Sequence, residues 1–299
     1  MSETLRARLK QPKPVLAPGC YDALSAFLIE QAGFEAMYLS GASVAYTQLG
    51  RPDIGLVSFD QIADVTRRIR ERTDIPLIVD ADTGFGNALH VQRTVRVLER
   101  SGANAIQLED QSFPKRCGHL GGKMLVSAQE MANKVRAAVD ARVSEDTLIM
   151  ARTDAIAVEG LDAALDRAQM YKDAGADIIF VEAPRSIDEM KTIVSTLGGS
   201  VPLLANMVEG GTTPISTLDE LDALGFRLVI SPGALVRAYM FMAQRFLSSL
   251  KENGTTQPTR ETMVNFEQLN NALGIKELAK LGEMYDPAMK LEAYRSAGK

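Results

Sequence analysis

The chain has 299 residues, with 33 Lys and Arg against 38 Asp and Glu, a mildly acidic balance in which the signs are interspersed. There is no basic stripe with interleaved aromatics, which argues against a nucleic-acid partner, and no stretch is long and apolar enough to span a bilayer. Two cysteines do not make a disulfide framework and no basic-then-apolar leader is present, so a soluble cytoplasmic protein built on one large α/β domain is expected.

Short apolar runs recur along the chain. VLAPGCYD (15–22) comes first and QAGFEAMYLSG second; PLIVDAD (76–82), RSGANAIQLED, TLIMARTD (147–154), DAGADIIFVEA, PLLANMVE (202–209) and ALGFRLVISPG follow in turn. Four of the eight share one pattern: a helix end, a small residue and Gly, then the apolar run. Gly33, Gly102, Gly175 and Gly225 stand where a helix needs a left-handed terminator before the chain turns into a strand. The runs are too short for helices and carry Ile, Val and Leu on both faces, as strands buried in a parallel sheet do. Amphipathic helical stretches lie between most of them, at 59–72, 89–101, 128–143 and 160–174.

This alternation predicts a (β/α)8 TIM barrel. A doubly wound open sheet is the rival, but the first strand is not followed by a glycine-rich dinucleotide fingerprint. The chain is therefore read as one barrel domain over 1–299. Residues 234–299 form a helical C-terminal extension, either a packing appendage or an oligomer contact exchanged between subunits.

In such a barrel the active site lies where the strands end. Those ends carry Tyr38 and Ser40, Asp80 and Asp82, Glu109 and Asp110, Arg152 and Asp154, Glu182, Asn206 and Ser231. Crowded acids repel unless a cation or protons neutralise them. Strand alternation places Asp80 and Asp82 on one face, with Glu109 ending the next strand, a set of hard oxygen donors that suits Mg²⁺ or Mn²⁺. Zinc would want more nitrogen and sulfur than two His and two Cys supply. Arg152 would bring a bidentate cation for a substrate carboxylate, or would pair with a site acid. No lysine stands at a strand end, which discounts a Schiff-base aldolase.

SFPKRCGHLGGK (112–123) follows the fourth strand and sets Cys117 among Lys115, Arg116 and His119. Positive neighbours lower a thiol's pKa. Metal ligand, nucleophile partnered by His119, and acid–base group are the competing roles for Cys117. A thiol that donates a proton to a carbanion-like centre fits an Mg²⁺ site best.

The segments YLSG (38–41), VDADTGFG (79–86), QLEDQSFPKRCGHLGGK (107–123), ARTDAIAVEGLDAALDRAQ (151–169), FVEAP (180–184) and NMVEGG (206–211) resemble the isocitrate lyase and phosphoenolpyruvate mutase superfamily. The resemblance implies an eight-stranded barrel with a C-terminal helix swapped between subunits, in a homotetramer made of two such dimers. It implies Mg²⁺ at Asp80 and Asp82, with Glu109 and Glu182 nearby. Ser40, Gly41 and Ala42 would bind the pyruvoyl part of a small-molecule substrate, and Arg152 and Asn206 its carboxylate. Gly118 and Glu182 would add contacts, and Arg237, more loosely Arg260, would hold larger substrates. Cys117, Tyr38, Asp53, Lys115 and His119 would be the catalytic group.

In that family the cysteine loop marks the carbon–carbon lyases. The implied reaction is retro-aldol cleavage of a 2-hydroxy dicarboxylate to pyruvate and a second carboxylate. "LGG" after "CGH", together with "NMVEGG", is closer to the branch that cleaves 2,3-dimethylmalate and related 2-alkylmalates. 2-Methylisocitrate cleavage to pyruvate and succinate is the alternative. Carboxyphosphonoenolpyruvate mutase and oxaloacetate decarboxylase or hydrolase activities stand behind it.

Overall fold

The structure is a computed structural model that describes residues 3–118 and 121–286. It divides into two compact units, 1–238 and 239–299.

The first unit is a closed barrel. β1 (Val15–Cys20), β2 (Met37–Leu39), β3 (Leu77–Asp80), β4 (Ala105–Glu109), β5 (Leu148–Thr153), β6 (Ile178–Val181), β7 (Leu203–Asn206) and β8 (Leu228–Ser231) are parallel and neighbour one another in chain order. Closure comes from β1 against β8, with Val15 opposite Leu228 and Ala17 opposite Ile230. The four helix-ending glycines all take positive φ, from 84° at Gly33 to 112° at Gly225, so each terminator acts as its sequence position predicts.

The outer helices start where side chains can cap them. Asp22, Ser58, Ser127, Ser186 and Thr217 each accept a backbone N–H of the following turn. Three of the helices run two residues shorter than their apolar patterns, Phe59–Arg70, Ala128–Ala141 and Leu161–Asp173, while Ala88–Arg100 keeps the length and starts one residue earlier.

One element has no counterpart in the sequence reading. A turn of helix, Leu5–Arg8, sends Leu5 and Leu9 into the barrel interior, where they join Val15, Ile78, Met150, Phe180 and Leu204 in one buried cluster. Arg6 bonds Asp177, just before β6, so this stopper sits at the N-terminal end of the strands. Each of the two leucines contributes roughly 1.5–3 kcal/mol by burial. The opposite end, left without such a stopper, is the end that carries the polar residues.

In the second unit the described α-helices are the remainder of Ala234–Asn253, then Phe266–Ala272 and Ile275–Tyr285. Phe241, Phe266, Leu278 and Met284 are exposed there. No helix among the described residues is long and apolar enough to cross a membrane.

Candidate active site

A cavity of about 110 Å³ opens at the C-terminal ends of the strands. Tyr38, Ser40, Ala42, Asp80, Arg152, Glu182 and Asn206 line it from the barrel, Asp53 lines it from the loop after β2, and Arg237 completes the rim. Lys115, Cys117 and Gly118 enter from the loop after β4. The acids and the cysteine, distant in sequence, therefore share one wall-to-wall space. Asp82 and Glu109 lie buried beside it, and His119 falls outside the described residues.

Asp80 ends β3, and its Oδ1 accepts from the Asp82 backbone N–H and from Gln107 Nε2, both at 3.1 Å. Asp82 does not reach the mouth by strand alternation. It stands beyond the strand with φ 47°, a left-handed turn tied down by the Glu109 N–H donating to its carbonyl at 2.9 Å. Such a conformation costs about 1–3 kcal/mol in a non-glycine residue and persists only where its surroundings fix it. A Cβ on Gly41 would lie 3.3 Å from Asp80 Oδ2 and 3.5 Å from Asp82 Oδ1, so glycine lets the β2 loop lie against both acids.

The two cations that flank Cys117 in sequence are spent elsewhere. Lys115 Nζ lies 2.6 Å from Asp53 Oδ1 and 2.8 Å from Asp82 Oδ1, the latter without a well-directed hydrogen bond. The exposed Arg116 donates to the Gly121 carbonyl at 3.1 Å. Burial alone would lower the Lys115 pKa, but Asp82, Glu109, Asp53 and Asp80 hold it well above the ordinary value. It is a fixed ammonium, unsuited to a Schiff base. The loop itself is docked: Cys117 N–H donates to the Asp53 carbonyl at 3.3 Å, and the Gln111 side chain clamps both the N–H and the C=O of Arg116.

Arg152 is paired before any substrate arrives. Its Nε and Nη2 donate to Asp154 at 2.9 and 3.0 Å, and its Cζ lies 5.0 Å from the Phe180 ring centroid. The guanidinium is thus pre-aimed. Asn206 donates to both oxygens of Glu182, at 3.3 and 3.2 Å. The Ser40 hydroxyl caps the short helix Gly41–Val44. Arg237 pairs with Glu209 at the rim, while Arg260 belongs to the second unit.

Sequence reasoning passed over Gln107 and Lys123. Gln107 bridges Tyr38 to Asp80: its Oε1 accepts from the Tyr38 hydroxyl at 2.9 Å and its Nε2 donates to Asp80 Oδ1. Burial, then the Asp80 charge, raises the Tyr38 pKa well above its usual value, so the phenol stays protonated. A Gln inside the apolar run AIQLE was the available signal.

Asp82 Oδ1 is buried with only the poorly directed Lys115 ammonium beside it, and Glu109 Oε1 is buried without a hydrogen-bond donor among the described residues. Burial, with neighbouring carboxylates adding to it, raises Asp82 to about 7 and lifts Glu109 well above the carboxylate range. No group of three or more His, Cys, Asp or Glu among the described residues forms a ready cation cage. The donors still fit a hard divalent cation: they are all oxygen, two lack a well-directed hydrogen bond, and the cations beside them are Lys115 at Asp82 and Arg152, 3.5 Å from Glu109.

This has a testable sign. Between about pH 4, the unfolded carboxylate value, and the folded Asp82 value of about 7, the folded chain holds the extra proton. Without a cation, that group's contribution to stability falls as pH rises. A cation replaces the proton, so the rise in thermal midpoint given by MgCl2 is expected to grow from pH 5 to 7.5, reaching several degrees at saturation. Thermal scans with and without Mg²⁺ read it; a pH-independent increment would remove these acids from the binding site.

The model of the phosphoenolpyruvate phosphomutase family matches residues 5–251. The 2,3-dimethylmalate lyase of Eubacterium barkeri is 44% identical over 281 residues, spanning 94% of this chain and 96% of its own. The 2-methylisocitrate lyase of Aeropyrum pernix is 44% identical over 276 residues, or 92% and 88% of the two chains. Among solved structures, phosphonopyruvate hydrolase in complex with oxalate and Mg²⁺ matches with a TM-score of 0.84 and 31% identity, over 94% of this chain and 96% of that one.

Proposed function

We propose, from the premise that this chain belongs to the phosphoenolpyruvate phosphomutase family and so to the isocitrate lyase superfamily, that it is a Mg²⁺-dependent carbon–carbon lyase. Its substrate is a 2-hydroxy dicarboxylate, 2,3-dimethylmalate or a related 2-alkylmalate, cleaved to pyruvate and a carboxylate such as propionate. The observation that carries this reading is the meeting of Cys117, Arg152 and Asp80 in one cavity.

Asp80 and Asp82, with Glu109 behind them, would hold the divalent ion, which supplies positive charge to the oxygens of the pyruvate half. Arg152, held on Asp154, takes the carboxylate of the departing half. The 2-hydroxyl proton passes to a base of the mouth and the C2–C3 bond breaks with its electron pair left on C3, giving pyruvate and a carboxylate-stabilised carbanion. The Cys117 thiol then gives that carbon a proton. Lys115 and Gly118 bring the loop against the mouth and exclude water while the carbanion exists. Tyr38 stays a hydrogen-bond donor within the barrel.

A second reading, 2-methylisocitrate cleavage to pyruvate and succinate, is favoured by Arg237 on the cavity rim. A third carboxylate would have to take that arginine from Glu209. The exposed apolar side chains of the second unit support assembly as a homotetramer, a dimer of helix-swapped dimers.

The experiment is Mg²⁺-dependent pyruvate release, coupled to lactate dehydrogenase. It is run over 2-alkylmalates, 2-methylisocitrate, isocitrate, oxaloacetate and phosphonopyruvate, on protein whose mass in solution is read by light scattering. Cleavage of a 2-alkylmalate at least tenfold better than the rest is expected, with activity lost in Asp80→Ala. Preference for 2-methylisocitrate would install the second reading, silence across the panel would sink both, and a monomer would remove the tetramer.

A further inference from the structure

Lys123 ends the cysteine loop, and its side chain is 1% exposed. It does not line the cavity. Its ammonium donates to two oxygens, Asp154 Oδ1 at 2.9 Å and the main-chain carbonyl of Gly118. The second contact reaches back across the loop to the peptide that follows Cys117.

Asp154 is a rigid anchor. Its backbone N–H donates to Asp110 Oδ1 at 2.9 Å, and its carboxylate accepts Arg152 at two points. Asp110 in turn takes Thr153 Oγ1 at 2.7 Å and the Tyr171 hydroxyl at 2.8 Å. Burial would raise the Asp154 pKa, but Arg152 and Lys123 hold it down at about 2, so the anchor is charged at every working pH. One carboxylate therefore fixes both Arg152 and the ammonium that grips Gly118.

The other ties of the loop differ in kind. Lys115, two residues before Cys117, divides its charge between Asp53 at 2.6 Å and Asp82 at 2.8 Å, and the charge of Asp82 is one that a divalent ion would claim. Gln111 clamps the residue before Cys117 with uncharged bonds. Lys123 joins the peptide after Cys117 to a permanently charged, buried anchor. We propose that Lys123 is a positioning residue that latches the Gly118 carbonyl to Asp154 and thereby holds the Cys117 thiol at the cavity. Its effect on turnover rests on the lyase reading above; its effect on the loop does not.

Lys123→Met removes the charge at similar volume and leaves Asp154 paired with Arg152, so the variant is expected to fold; Lys123→Gln carries the same test should it not. Alkylation of Cys117 by iodoacetamide, a neutral reagent, reads the loop. Cys20 is fully buried, with its thiol pKa pushed up by that burial, and stays silent. Loss of one charged hydrogen bond is expected to speed the plateau alkylation rate about tenfold without moving its pH midpoint. Lys123→Arg should restore most of the wild-type rate. Turnover should fall about tenfold with KM changed less than about twofold.

An unchanged plateau rate in folded Lys123→Met overturns the latch, and so does a shifted pH midpoint alone, which would mean that Lys123 acts on thiol acidity. Faster alkylation in a protein that cleaves nothing on the substrate panel would uphold the latch and sink the lyase reading.

Discussion

Cys117→Ser is expected to lower turnover of whichever substrate the panel favours by about 10³-fold while pyruvate and oxalate bind within about twofold of wild type. The hydroxyl can occupy the same place, because the loop is held there by other groups: the backbone N–H of residue 117 on the Asp53 carbonyl, Lys115 on Asp53 and Lys123 on Asp154. What changes is acidity. An ordinary thiol titrates near 8.5, and an alcohol does not titrate in water's working range, so the proton transfer proposed for Cys117 would lose its donor. Steady-state turnover and calorimetric binding of oxalate separate the two quantities. Near-normal turnover would take the thiol out of the mechanism; lost oxalate binding would make it a binding group.

Gly118→Ala is expected to cost at least about 100-fold in kcat/KM with a thermal midpoint within about two degrees of wild type. A Cβ there would lie 2.8 Å from Glu182 Cδ and closer still to Arg152 Nη2 and Glu182 Oε1. Neither neighbour can give way cheaply, since Arg152 is fixed on Asp154 and Glu182 accepts from Asn206. The loop must stand off instead, carrying Cys117 with it, while the barrel beneath is untouched. Kinetics beside a thermal scan read the split. Activity within about twofold of wild type would mean that closure to this depth is not needed.

The barrel was legible because its signals are local. A glycine after four of the helices and short apolar runs need no distant partner to be recognised, and the mouth residues follow from where those runs stop. The pairings inside the mouth were not legible. Lys115 and Arg116 flank the thiol in sequence, yet one turns to Asp53 and Asp82 and the other to the Gly121 carbonyl. Which carboxylate a lysine chooses is decided by the approach of three separate loops. Asp82 shows the same limit, since its left-handed bend depends on a hydrogen bond from the neighbouring strand. The stopper at Leu5 and Leu9 escaped for lack of any period in so short a segment.

The seam between β1 and β8 constrains how such a chain comes off the ribosome. Its first strand has its last as a partner, so during synthesis the opening segment waits with one edge bare until nearly all of the barrel has emerged. Contacts this remote in sequence form slowly. The nascent chain therefore depends on whatever shields that edge in the meantime.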